Sequence, residues 1–268
     1  MKKLIMIFML VIFAGVLTAC GASGNEEGQA SNEKETTSKE KKVLVMGTSA
    51  DYPPFEFVQT SQGEDIIGFD IDLANAIAEK LDYEIEIKDI DFSGLIPALQ
   101  SNKIDFVLSS MTPTEERKEN VDFSQIYYEA NHMIVSPTES NIGKIEELEG
   151  KTVGVQLASI QADKAEEIKE NVDITIESRN RIPELVQEMK AGRFDAAIIE
   201  DTVAKGYLDK NEDLTGFVIE NAEEAGTAAA FPKNSELVEE FDQAITELKE
   251  SGELEEMIKK WFDSEESQ

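Results

Sequence analysis

Cysteine, histidine and tryptophan each occur once in this 268-residue chain, and positive charge is scarce, with 25 Lys and Arg against 56 Asp and Glu. A single thiol excludes an internal disulfide, so the folded part is held by its core alone. The only histidine, His132, has no evident partner in the sequence, which leaves little for acid–base catalysis near neutrality. The net charge is −31, and loss of the two leader lysines takes the mature chain near −33, so nucleic acid is excluded as a partner. Apolar runs long enough to cross a bilayer, about 20 residues, are missing throughout.

What is present begins at the N-terminus. Lys2 and Lys3 precede the apolar stretch Leu4–Leu17, which is too short for a membrane span and fits a signal-peptide core. It ends in Leu17-Thr18-Ala19-Cys20, which resembles the lipobox of bacterial lipoproteins. Residues 1–19 are therefore expected to be a signal peptide, with Cys20 lipidated. A diacyl group is the sensible anchor, because one acyl chain holds a membrane only marginally. Residues 20–40 contain no large apolar side chain after Cys20 and read as a disordered tether. About 225 residues remain, enough for one large domain or two small ones.

From Lys42 onward, short β-rich runs alternate with helical patterns. Strands are expected at Val43–Gly47, Tyr83–Ile87 and Ile104–Ser109, with helices at Ile71–Leu81 and Ser93–Gln100. The same order returns with strands at Thr152–Gln156, Ile174–Ile176 and Phe194–Ile199 and helices at Gln161–Lys169 and Ile182–Ala191. The later part of each copy is in register at an offset of 90 residues. Leu95 matches Leu185, Leu99 matches Met189, Lys103 matches Arg193 and Asp105 matches Asp195. Strands alternating with helices imply parallel sheets, and two such units imply two lobes with a cleft between them. Leu237–Trp261 has no sheet of its own, with Gly252 as a break, and should pack back on the first lobe. The chain would then cross between lobes near Glu129–Met133 and Asn221–Thr227. Lobe 1 would comprise 41–129 with 222–268, and lobe 2 would comprise 130–221.

Ligands of parallel sheets bind beyond the carboxyl ends of the strands. In the first copy that position holds Ser109 and Ser110, followed by Thr112-Pro113-Thr114-Glu115 and Arg117. The tetrapeptide has the pattern of a capping box with Thr112 as N-cap, and a helix start beside a strand end suits an anion. Arg117 adds a bidentate partner for a planar carboxylate. The counterpart of Ser110 at the 90-residue offset is Glu200, an anion that could meet an ammonium. Tyr52 and Phe92 follow the first two strands as candidate aromatic walls. Pro53 and Pro54 stiffen the chain beyond Tyr52 and favour an exposed position for that ring.

Taken together, Gly47–Phe55, Gly68–Leu73, Asp91–Leu99, Ser109–Arg117, Val121–Ser124, Gly154–Gln161 and Lys259–Phe262 resemble the polar amino-acid family of bacterial periplasmic-type substrate-binding proteins. These serve ABC importers, and the matching stretches run in order through the whole mature chain. The resemblance implies a type II two-lobe fold with two parallel-core sheets joined by a two-crossover hinge. It also implies that Arg117, with Thr112 and the Ser110 backbone, binds an α-carboxylate while Glu200 binds the α-ammonium. Tyr52 and Phe92 would sandwich the side chain, and Gln156, Ser159 and Gln161 would come from the second lobe. Relatives more often have Asp in place of Glu200, and those binding basic ligands or glutamine often have Asp in place of Ser49. Asp51, Glu56 or Asp91 could supply the missing negative charge.

Arginine or another basic amino acid is the expected ligand, with glutamine, histidine, lysine and cystine open. The expected partners are that free amino acid, an ABC permease and the membrane through Cys20, on the outer face of a Gram-positive type of cell. A monomer is expected, without cofactor or metal. A dehydratase-like enzyme using Glu200 is a weaker reading. A built-in receptor is disfavoured, since no second membrane segment follows before Gln268, whereas a free-standing chemosensory protein stays open.

Overall fold

In the computed structural model, which describes residues 41–59, 63–219 and 225–263, the two series of strands form two separate five-stranded sheets. In the first, the order across the sheet is Tyr83–Asp89, Lys42–Thr48, Phe106–Val107, Ala230–Pro232 and Val121–Phe123. In the second it is Thr175–Arg179, Thr152–Gln156, Ala196–Glu200, His132–Pro137 and Leu214–Val218. The first three strands of each sheet are parallel and the last two join antiparallel. Interior Ala196–Glu200 is buried at every position, as a strand covered on both faces requires. Edge strand Tyr83–Asp89 alternates, with Tyr83, Ile85 and Ile87 facing inward and charged residues between them facing water.

The 90-residue register has a structural content. Leu95 and Leu185 are both fully buried, as are Leu99 and Met189. Asp105 accepts from the Val45 amide at 2.7 Å, and Asp195 accepts from the Thr152 amide at 2.8 Å, each carboxylate tying its loop to the neighbouring strand. A β-carbon on Gly47 would lie 2.4 Å from Ile104 Cδ1, and one on Gly154 would lie 2.5 Å from Phe194 Cδ2. Both glycines thus leave room for an apolar side chain that stands two residues ahead of the adjacent strand.

Several boundaries differ from the sequence expectation. The strand expected over Ile104–Ser109 pairs only at Phe106–Val107, because Ser109 turns its hydroxyl to Glu56 and its lone pair to the Ser49 amide. The first helix begins at Phe69 rather than Ile71 and ends where Asp82 turns left-handed, at φ 59°. Leu237–Ser251 and Glu253–Ile258 are separated at Gly252, φ 83°. They pack on helix Phe69–Leu81; beside it Glu240 accepts from Tyr83 Oη of the edge strand at 2.8 Å, and beyond the last helix Trp261 Nε1 donates to Asp72 at 2.7 Å.

Strand Tyr128–Ala130 pairs antiparallel with Ala225–Thr227 where the chain passes between the sheets. Residues 221–224 of the second expected crossover lie outside the described residues, as do the leader, Cys20 and the tether. His132 is not a partnerless crossover residue. It opens a strand of the second sheet, is buried, and meets Gln161 Nε2 through Nδ1 at 3.4 Å. No helix among the described residues is long and apolar enough to cross a membrane.

Candidate functional site

The loops beyond the strand ends of the two sheets face each other and enclose a cavity. Tyr52, Phe92, Ser109, Ser110, Thr112 and Arg117 line it from the side of the first sheet, and Gln156, Ser159, Gln161 and Glu200 from the side of the second. Ser49, Glu56 and Ile160 complete the wall. Asp51 is not brought there. Its oxygens accept from Ser49 Oγ at 2.7 Å, the Ile182 amide at 2.6 Å and Arg181 Nη1 at 3.4 Å.

Arg117 is 9 % exposed. Its Nη1 donates to the Thr112 carbonyl at 2.8 Å and its Nη2 to the Ala158 carbonyl of the opposite side at 2.9 Å. The guanidinium carbon lies 5.4 Å from the Phe92 ring centroid. Among the described residues Arg117 forms no ion pair, and burial draws its pKa down to about 10. The N-cap of the following helix, Glu115–Asn120, is Thr114 rather than Thr112: its hydroxyl accepts from the Arg117 amide at 3.2 Å. Thr112 instead turns its carbonyl to Arg117 Nη1 and the Thr114 amide, which delays the helix by two residues. Opposite, Ser159 caps helix Ile160–Lys169, whose first turn lines the cavity and presents the positive end of its dipole.

The other end of the cavity carries two buried carboxyl groups. Glu200, 3 % exposed, accepts from Ser110 Oγ at 2.9 Å and from Thr202 Oγ1. Burial pushes its carboxyl up to about 8 despite those two hydroxyls. Glu56, 1 % exposed, takes Ser109 Oγ at 2.6 Å on one oxygen, and its second oxygen has no donor among the described residues. Burial, then the nearby Asp70, raises Glu56 well above the carboxylate range. Asp70 holds Ser110 in place, accepting from its amide at 2.8 Å and from Tyr127 Oη at 2.9 Å. Ser110 needs that support, since its φ of 43° is left-handed and unfavourable for a residue with a side chain.

Of the three carboxylates open to a ligand cation, only Glu56 reaches the cavity; Asp91 faces Arg181 at 2.7 Å. Tyr52 is buried at the cleft rather than exposed outside the sheet, 6.0 Å from Phe55 between ring centroids. Arg181 was not singled out by sequence reasoning, although it lies 90 residues beyond Asp91. No group of three or more potential metal ligands occurs among the described residues.

Two α/β lobes with matching parallel-core sheets, crossed twice by the chain and closing on a polar cavity, define a solute-binding protein of the type II periplasmic kind. The chain belongs to the bacterial extracellular solute-binding proteins, family 3, which match residues 44–264. It is 52 % identical over 269 residues to the arginine-binding extracellular protein ArtP of Bacillus subtilis, covering 99 % of this chain and 100 % of that protein. A solved substrate-binding protein of an amino acid ABC transporter superimposes with a TM-score of 0.79 at 43 % identity, covering 83 % of this chain and 100 % of that one. An ancestral arginine-binding protein bound to arginine superimposes at 0.78 with 39 % identity, covering 83 % and 99 %. The family is one of extracellular solute-binding proteins, and each of these relatives is named for binding a substrate or arginine.

Proposed function

We propose that the chain captures a basic amino acid, arginine before others, by closure of its two lobes and presents it to the permease of an ABC importer. The observation that carries this is the set of ionisable groups in the cavity wall: one buried cation, Arg117, and two buried acids, Glu56 and Glu200, that a cationic partner would ionise. The complementary solute has one anion and two cations, because charges taken out of water need partners. An α-amino acid with a cationic side chain is such a solute. Its carboxylate meets Arg117 and the start of helix Ile160–Lys169, its ammonium meets Glu200, and its side chain passes between Tyr52 and Phe92 toward Glu56. The arginine named for the relatives in Bacillus subtilis and in the ancestral protein supports the same choice.

In this reading residues 41–129 with 222–268 form one lobe and 130–221 the other. The ligand is released unchanged, and the chain acts as a monomer held to the outer face of the membrane by lipid on Cys20 after removal of residues 1–19. A neutral solute such as glutamine is the second reading, favoured by the raised pKa of Glu56, which as an uncharged acid would suit an amide.

A thermal-shift panel of the twenty amino acids with ornithine, citrulline and cystine tests the choice, since binding to the native state alone raises Tm. Arginine should give the largest shift and citrulline, its uncharged analogue, a far smaller one. Equal shifts for the two would remove the argument from charge.

A further inference from the structure

Outside the cavity, a second set of contacts crosses the cleft, and it is centred on one side chain. Arg181 stands in the loop between strand Thr175–Arg179 and helix Ile182–Lys190, on the side of the second sheet. Its Nε donates to Asp91 at 2.7 Å, and its Nη1 donates to Asp89 at 2.8 Å and lies 3.4 Å from Asp51. All three aspartates belong to the side of the first sheet. The flanking residues add to the seam, with Asn180 Nδ2 bonded to Asp91 at 3.0 Å and the Ile182 amide to Asp51 at 2.6 Å.

The seam is joined to the cavity from both sides without entering it. The Asn180 carbonyl holds the amide of Gln156 at 3.1 Å, and Asp51 holds the hydroxyl of Ser49 at 2.7 Å; both are wall residues. Separating the lobes would leave three aspartates close together without a cation, and bringing them together seats one guanidinium among them. An isolated surface ion pair is worth little, but here a rigid fork meets several acceptors and Asp51 is buried.

We propose that Arg181 is a cross-cleft latch. It draws the lobes together before a solute arrives and slows the solute's departure, while never touching it. Because an in-chain guanidinium already occupies the space between Asp51, Asp89 and Asp91, a cationic solute is left to Glu56 inside rather than to the acidic rim. The effect on departure rests on the proposed capture of an amino acid; the effect on the unliganded protein does not.

Single-molecule FRET on the full chain, with dyes at Glu84→Cys and Glu170→Cys and with Cys20→Ser to keep labelling specific, reads the closed fraction without added solute. Arg181→Ala should lower that fraction and raise the arginine dissociation rate on the order of tenfold, with Arg181→Lys between it and the wild type. Raising ionic strength from about 0.05 to about 0.5 M should open the wild type and leave Arg181→Ala unmoved. Asp89→Asn, at a half-exposed position, gives the same reading if Arg181→Ala folds poorly. Wild-type closed fractions and salt responses in both Arg181→Lys and Asp89→Asn would overturn the latch. If arginine proves not to bind, the closed fraction still decides the proposal alone.

Discussion

Ser110 and Glu200 occupy the same position in the two copies of the repeat, 90 residues apart, and the hydroxyl of one donates to the carboxylate of the other at 2.9 Å. Asp91 and Arg181, also 90 apart, meet in the same way at 2.7 Å. In both cases equivalent positions of the two copies meet across the cleft. The cleft is therefore the place where the chain's internal symmetry is broken chemically, serine against glutamate and aspartate against arginine.

That relationship gives the first prediction. Glu200→Gln keeps an acceptor for Ser110 Oγ and removes a charge that burial disfavours. The ligand-free protein should melt at the wild-type temperature or slightly above. Amino-acid affinity should fall by two to three orders of magnitude, about 3–4 kcal/mol, because the ammonium loses its counter-charge. Calorimetric titration beside a thermal melt separates the two effects. Unchanged affinity would remove Glu200 from the ammonium.

The pH dependence follows from the same group. Burial raises Glu200 from its ordinary value to about 8, so the closed protein favours its neutral form. A carboxyl shifted upward contributes stability that is complete below its unfolded pKa and is lost as pH rises through the folded value. The ligand-free protein should lose stability between about pH 4.5 and 8, by at most about 1.4 kcal/mol per pH unit from this group. An ammonium partner requires the carboxylate, so affinity should climb over the same window and binding at pH 7 should release protons. Titration calorimetry in two buffers of different ionisation enthalpy measures that release. Buffer-independent heats would show that Glu200 is already ionised.

Much of this was legible in the chain because the repeat is legible. The offset that pairs Leu95 with Leu185 and Asp105 with Asp195 fixes which strand ends face the cleft, and the polar residues at those ends line the cavity. What escaped depends on contacts that local pattern cannot supply. Thr112 has the sequence of an N-cap, but its carbonyl is claimed by Arg117 and the cap moves to Thr114. Asp51 reads as a free carboxylate until a loop 130 residues away seats Arg181 against it. One signal was present, in that Arg181 is the repeat counterpart of Asp91, opposite in charge.

Charge selectivity should reside in Glu56 rather than Asp51. Glu56→Gln removes a buried carboxyl group that lines the cavity and should weaken arginine on the order of a hundredfold while changing glutamine little. Asp51→Asn should weaken all amino acids by a similar, smaller factor, since Asp51 acts through Arg181 and the Ile182 amide. The ratio of arginine to glutamine affinity in the two variants is the measurement. A ratio that moves with Asp51 and not with Glu56 would reverse the assignment.

Arg117 should be indispensable for every α-amino acid, whatever its side chain. The guanidinium is buried, bonded among the described residues only to carbonyls, and set over the Phe92 ring, so its charge is held ready for an anion at a cost in solvation. Arg117→Ala should abolish arginine and glutamine binding alike, a loss of at least about a thousandfold, because truncating one member of a buried charge pair strands the other. Arg117→Lys keeps the charge but cannot span the Thr112 and Ala158 carbonyls with one planar fork, so it should recover only part of the affinity. The decisive control is the decarboxylated analogue agmatine, which keeps the guanidinium and the ammonium. Its weak binding should be the same in wild type and Arg117→Ala, and a large loss there would place Arg117 elsewhere than at the carboxylate.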